Sequence, residues 1–465
     1  MRRDMTSGGV LRRILLFALP IMAANLLQQL YNTADNIIVG NFAEKSAPGS
    51  FAAVGSAAPL TFLYLAFAMG LGTAVSVVCS QLFGAREEDR LSRAVDTSLI
   101  FIGAAGVAVM IIGWAAAPAL LRGVLRVKNS TDAAGVEYLT YDYAVRYLRI
   151  YCIGLPFQFV YNAAASALRG VGDSRASLLF LLVTSVVNVA LDLWFIVAFN
   201  AGVAGAAWAT VISQVICAAL AYWYLRRRFP LVRGDRHFDP ALCKTTLRIG
   251  LPTAVQQSVV SLGNIAMMAL VQHFAAVHTA GIAIISAYTA GSRVDMFFYV
   301  PVIGLQSALA AFTGQNIAAN RIDRVRRALY LTEATGVAVS VALCVTLYCL
   351  AEPVVRLFGV DGSAIAIGAE QVRYYSTVFW IFSVYMILGG VLQGAGDTLL
   401  QSAATLSALA MRVAIAYLGV YAFSRFGYEA AWSTLAFGWA TALIITGARY
   451  VQGGWKKKVI ARRES

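Results

Sequence analysis

The chain has 465 residues, of which 59% are hydrophobic and 13% charged, with a formal net charge of +14. A soluble domain of this length needs far more charge to cover its surface, so the composition excludes an ordinary soluble protein. The positive charge alone suggests nucleic acid or anionic lipid, but its placement along the chain argues against a nucleic-acid partner.

The start carries Arg2, Arg3, Arg12 and Arg13 ahead of an apolar run. That run is too long for a signal peptide and leads into no small-residue cleavage site, so it is read as the first membrane helix. Apolar runs long enough to cross a bilayer then recur to the end of the chain. They place crossings near 14–38, 51–79, 97–121, 147–168, 176–199, 203–225, 246–272, 280–304, 328–350, 374–394, 400–423 and 428–450. Unpaired backbone groups are too costly in hydrocarbon, so these segments are expected to be helices. The short alternating stretches of a membrane barrel do not occur. The fold class is therefore an all-α membrane protein of twelve transmembrane helices.

With both termini placed in the cytoplasm, the inside segments hold 26 of the 37 lysines and arginines. They include Arg86, Arg90 and Arg93, the run Arg226–Arg228, Arg321 to Arg327, and Lys456–Lys458. This excess follows the positive-inside rule and predicts a multi-pass protein of the cell membrane, not a nucleic-acid binder. The six cysteines and three histidines are scattered without ligand spacing, so neither a metal site nor a disulfide frame is expected. No GxxxxGKS segment exists, and ATP-driven transport within this polypeptide is unsupported. No cofactor and no enzymatic reaction are expected.

The chain repeats itself. Ser80-Gln81-Leu82-Phe83-Gly84-Ala85-Arg86 matches Gly314-Gln315-Asn316-Ile317-Ala318-Ala319-Asn320, and Leu168-Arg169-Gly170-Val171-Gly172-Asp173 matches Leu392-Gln393-Gly394-Ala395-Gly396-Asp397. Pro20 matches Pro252, and Ala206-Ala207-Trp208 matches Ala430-Ala431-Trp432. Six crossings per half make both halves enter the membrane in the same sense, as in transporters that rock two bundles around a central site. The expected division is an N-terminal lobe over 1–225, a basic linker over 226–248, a C-terminal lobe over 249–450 and a basic tail over 451–465. The Gly172-Asp173 and Gly396-Asp397 pairs read as helix C-terminal caps followed by N-caps.

Polar residues inside membrane helices usually have a partner or a task. In the first half these are Asp35 in helix one, Asn162 in helix four, Asn188 and Asp192 in helix five, and Thr210 in helix six. Asn188 and Asp192 share one helix face. At about 1.5 Å per residue, Asp35, Asn188, Asp192 and Thr210 fall at similar depth in the outer half, with Asn162 below them. These are hard oxygen ligands of the kind Na⁺ takes. Two carboxylates in an apolar cavity also repel each other, which suits carriage of a proton. The alternative is that Asp35 and Asp192 sit at the water interface and only cap helices. Laid on the second half, Asp35 meets Met267, Asn188 meets Arg412 and Asp192 meets Ala416, while Thr210 meets Thr434. The polar cluster is therefore expected in the first lobe only. Asp295 in helix eight reads as a structural partner of Arg293 or Arg412.

Together, Pro20 with Asp35, the Gln81…Gly84-Ala85 and Gln315-Asn316 helix ends, and the Asn188/Asp192 pair make the chain resemble the multidrug and toxic compound extrusion (MATE) family. The likeness runs over essentially the whole length. It implies a two-lobed antiporter that exports amphipathic, mostly cationic drugs or metabolites in exchange for H⁺ or Na⁺, conferring antibiotic resistance. It further implies that Asp35, Asn188, Asp192 and Thr210 form the cation site, with Asn162 nearby, and that Pro20 lets helix one bend. A helix-interior proline removes a backbone hydrogen bond, which makes a bend reasonable; a static kink is the alternative. A cavity for amphipathic cations needs aromatic faces and few fixed charges. Tyr31, Phe157, Tyr161, Asn264, Met267 and Gln306 are the candidates to line it. The chain departs from members that carry an acid in helix seven or ten of the second lobe. A monomer is expected. The rival readings are a flippase for lipid-linked oligosaccharides or lipid II, which would need a cavity rich in Arg and Lys, and a passive channel.

Overall fold

The computed structural model describes residues 4–43, 47–125, 127–131, 137–228, 238–277, 281–358, 360, 362–421 and 427–460. The first half forms α1 (Val10–Ile38), α2 (Ser50–Gly84), α3 (Glu88–Ala119), α4 (Thr140–Gly170), α5 (Ser174–Asp192) and α6 (Gly202–Arg228). The second half forms α7 (Pro240–Val277), α8 (Gly281–Ala318), α9 (Ile322–Cys349), α10 (Ala351–Arg356) and α11 (Ser363–Ala395). It ends with α12 (Thr398–Tyr421), α13 (Ala430–Ser433) and α14 (Leu435–Gln452). The strands among the described residues are one two-residue antiparallel pair, Ser130–Thr131 with Glu137–Tyr138.

Among the described residues, eleven helical stretches are long and apolar enough to cross a membrane. The twelfth expected crossing, 147–168, lies in α4, which is long enough but less apolar, diluted by Arg149, Gln158, Asn162 and several tyrosines. Its packing against α2, α3 and α6 explains the tolerance, because neighbouring protein rather than lipid covers most of its surface. Several helices outrun their predicted limits. The stretch expected at 280–304 continues to Ala318, because backbone hydrogen bonding continues after the apolar run ends.

The chain divides into two compact units: Ala23–Ala254 with Met1–Arg3, and Asp4–Met22 with Val255–Ser465. This differs from the expected split at both ends. The segment after Asp4 is tied to the second unit, where Met5 N donates to Gln315 Oε1 (3.0 Å) and Asn316 Nδ2 donates to the Met5 carbonyl (3.2 Å). Conversely, Gly250 and Ala254 on α7 press against α2, where a Cβ on Gly70 would stand 2.4 Å from the Ala254 backbone. Within the expected linker, residues 229–237 lie outside the described residues, and 240–248 are the start of α7.

Each unit uses the same local devices at matched positions. Gly172 and Gly396 have φ of 88° and 85°, a left-handed conformation that side chains resist. The amides that follow close each helix in the same way, Asp173 N to Leu168 O and Asp397 N to Leu392 O, both at 2.8 Å. Arg86 and Asn320 likewise share a left-handed backbone (φ 62° and 61°). Where α4 crosses α2, a Cβ on Gly170 would meet the Ser76 carbonyl at 2.7 Å; where α11 crosses α8, one on Gly394 would meet the Ala310 carbonyl at 2.2 Å. The repeat read from sequence is therefore a repeat of turns and close helix contacts.

Candidate cation site

The first unit brings together most of the polar residues singled out in its helices. Asp35 lies near the end of α1, and the helix widens to a π-helix at Val39–Ala43; Asp192 is the last residue of α5, which widens in the same way at Leu193–Ala198. These two π segments pack on each other and on α6. That packing draws the carboxyl groups of Asp35 and Asp192 within hydrogen-bonding reach of each other. Asp192 is fully buried and Asn188 nearly so. Asp35 Oδ1, both Asp192 oxygens and both amide atoms of Asn188 are buried without a hydrogen-bond partner.

Two facing carboxylates are both acceptors, so the pair needs something positive between them. A shared proton or a small hard cation would satisfy the buried oxygens, and Asn188 offers a further oxygen one turn away. Thr210 is buried on α6 and donates its hydroxyl to the Ala206 carbonyl (3.0 Å), leaving its oxygen lone pairs as acceptors. Asn162 donates to Gln158 O of its own helix (2.8 Å).

Sequence reasoning missed several neighbours. Tyr147 stands close to both carboxyl groups, as Tyr31 does, and Tyr151 stacks beside Tyr147 with ring centroids 6.2 Å apart. Gln214, one turn beyond Thr210, reaches Tyr151; its side chain fits because residue 154 is glycine, where a Cβ would lie 1.9 Å from Gln214 Oε1. The i, i+4 spacing of Thr210 and Gln214, and of Tyr147 and Tyr151, was the available signal.

The six residues expected to line a substrate cavity divide evenly between the units. In the first, Phe157 is 39% exposed, and Tyr31 and Tyr161 are half-buried. In the second, Asn264 is exposed, and Gln306 donates to Gln393 Oε1 (3.2 Å). Met267 is fully buried in the apolar core with Leu270 and Val271, so here it is a packing residue rather than a cavity wall. Pro20 lies inside α1, whose helical hydrogen bonding continues past it, and the boundary between units falls just after, at Met22.

The second unit buries an acid too, at the position read as a structural partner of Arg293 or Arg412. Asp295 on α8 is 3% exposed. Tyr375 and Gln371 of α11 approach its carboxyl group, and the Arg412 guanidinium of α12 lies within electrostatic reach. Arg412 Nη2 donates to the Ala431 carbonyl (2.8 Å), and Arg293 is exposed. Gly291, one turn before Asp295, makes room for Gln371, whose amide a Cβ there would meet at 2.5 Å. Glu333, about three turns into α9, is a further membrane-embedded acid, and its buried Oε2 has no hydrogen-bond partner.

Comparison with known proteins places this architecture. The chain matches MatE over residues 20–194 and 252–418, one stretch in each half. It is 29% identical over 475 residues to the probable multidrug resistance protein YoeA of Bacillus subtilis (strain 168), covering 98% of this chain and 96% of that one. To the probable multidrug resistance protein YpnP of the same organism it is 28% identical over 400 residues, covering 85% of each. Among solved structures, one described as MATE in the straight conformation superposes with a TM-score of 0.85 at 25% identity, covering 98% of both chains.

Proposed function

We propose that this chain, which belongs to the MatE family of multidrug efflux transporters, is an antiporter that exports amphipathic cations in exchange for H⁺ or Na⁺. The observation that carries this reading is the facing pair Asp35 and Asp192, with Asn188 beside it and, among the described residues, no cationic side chain to neutralise it. A buried pair of carboxylates without a counter-charge is expensive, so its occupancy by a proton or Na⁺ is a strongly favourable event. Cation entry there, followed by substrate exit through alternating access of the two lobes, is the cycle we assign. Asp35, Asn188, Asp192 and Thr210 bind the ion, Asn162 lies near, and Pro20 supplies the flexible point of α1.

In this reading both termini are cytoplasmic, the protein sits in the cytoplasmic membrane as a monomer, and Tyr31, Phe157, Tyr161, Asn264 and Gln306 contact substrate. The flippase alternative fits less well, because a pyrophosphate cargo needs clustered basic side chains and this site offers carboxylates. The test is efflux of a fluorescent cationic dye from reconstituted vesicles under an imposed proton gradient or an imposed Na⁺ gradient. One of the two gradients is expected to drive efflux; dye movement indifferent to both would overturn the antiport assignment.

A further inference from the structure

At the end of the first unit farthest from its basic loops, α3 and α4 enclose an open cleft of about 450 Å³. Pro118, Tyr141, Asp142, Arg146 and Arg149 line it. Its two arginines stand one turn apart on α4, and among the described residues neither has a carboxylate partner. Asp142, the acid in the cleft, is instead engaged by Asn129 Nδ2 at 2.6 Å. Arg149 Nε is buried with no hydrogen-bond partner, and the guanidinium lies over the Trp114 ring, 4.6 Å from its centroid.

The surroundings locate this cleft at a membrane–water boundary. On α3, Ile111 and Ile112 are 60% and 67% exposed, an apolar face that only lipid would cover. Beside them Trp114 is 47% exposed, the placement of an interfacial aromatic anchor. At the start of α4, Tyr141 N donates to Asn129 Oδ1 (2.9 Å), part of a polar rim at the helix ends. The arginines therefore stand between hydrocarbon and water, where the abundant anion is phosphate.

From this we infer that Arg146 and Arg149, backed by Trp114, bind the phosphodiester of an anionic phospholipid. A guanidinium presents parallel N–H donors that match phosphate oxygens, and one already stacked on an indole face loses little freedom on binding. Basic pockets between membrane helices are used for headgroups in this way. The cleft lining contains none of the residues assigned to the cation site, and the proposal does not depend on the antiport reading. It ties the α3–α4 edge to its lipid environment.

The full chain, purified in mild detergent, would be examined by native mass spectrometry and thermal unfolding while phosphatidylglycerol, phosphatidylcholine or inorganic phosphate is titrated. Wild type is expected to retain phosphatidylglycerol over phosphatidylcholine and to gain thermal stability from it. Arg146→Gln and Arg149→Gln are each expected to weaken that retention by about fivefold, and the double variant by more. Protection by inorganic phosphate, lost in the same variants, would keep the phosphate site and assign it to a soluble anion. Equal retention by wild type and the double variant would overturn the proposal. Should the double variant not fold, wild type that holds the two lipids equally well would overturn it just the same.

Discussion

The two units share turns, close helix contacts and a buried threonine at one position, yet they bury charge in opposite ways. In the first, Asp35 and Asp192 face each other with Asn188 one turn away. In the second, Arg412 occupies the position that matches Asn188, and the acid within its reach, Asp295, comes from a different helix. A carboxylate pair lacks a positive charge; a carboxylate with a guanidinium nearby already has one on a tether. The difference teaches that the repeat supplied a scaffold with a polar pocket in each half, and that in the proposed cycle side-chain charge sets which pocket accepts a cation from outside.

The sharpest way to break this comparison is to remove or imitate that charge. Asp35→Asn and Asp192→Asn are expected to lower gradient-driven dye efflux to the level of protein-free vesicles. Folding should survive, since an amide can donate to the carboxylate that remains. Asn188→Arg copies the second unit into the first and should silence transport as completely, its guanidinium filling the site. Transport near the wild-type rate in these three variants would end the assignment of unequal roles.

In the second unit the same kind of change should instead register as stability. Arg412→Gln leaves Asp295 buried without a nearby counter-charge, an expected cost of about 3–5 kcal/mol in thermal or denaturant unfolding. The double neutral variant, Arg412→Gln with Asp295→Asn, should recover most of that loss and keep transport. If the double variant folds well but no longer transports, Asp295 has a part in the cycle and the two units are more alike than their charges suggest.

A smaller effect is expected where the units agree. Gly170→Ala and Gly394→Ala both force a methyl group toward a backbone carbonyl on the crossing helix, at 2.7 Å and 2.2 Å respectively. Overpacking of this kind costs about 1–3 kcal/mol, with Gly394→Ala the more damaging of the two. Unfolding midpoints of both variants, measured side by side, check the order.

Much of this could be read from the chain, and the failures have physical causes. Apolar runs located the crossings, but α4 was the weakest of them because its polar face is covered by protein. The Gly-Asp turns were legible because a left-handed cap followed by a helix start has few sequence solutions. Asp35, Asn188 and Asp192 were found by rarity, since buried carboxylates and amides in apolar helices stand out. Tyr147, Tyr151 and Gln214 were not, because tyrosine and glutamine are unremarkable within membrane helices until π segments bring α1 and α5 together. Asp295 was weighed against Arg293 and Arg412, and of these Arg412 on α12 lies within electrostatic reach, while Tyr375 and Gln371 of α11 were not foreseen. Periodicity along one helix carries no information about which helices will meet.

The finest distinction between the units rests on one hydroxyl. Thr210 and Thr434 hold matched positions and donate to the carbonyl four residues back, at 3.0 Å and 2.9 Å. Valine keeps the shape of threonine and removes the oxygen, so each substitution deletes the same local hydrogen bond at about the same cost in stability. Only at Thr210 does the oxygen also belong to the proposed ion site. Thr210→Val should therefore weaken the ion dependence of transport by about fivefold, the worth of one hydrogen-bond-sized interaction of about 1 kcal/mol. Thr434→Val should leave that dependence where it was. Efflux measured against increasing coupling-ion concentration separates the two, because a purely structural role shifts neither curve or both alike. An equal shift in both variants would mean that the threonines act only on their helices and that the first-unit site is made by Asp35, Asn188 and Asp192 alone.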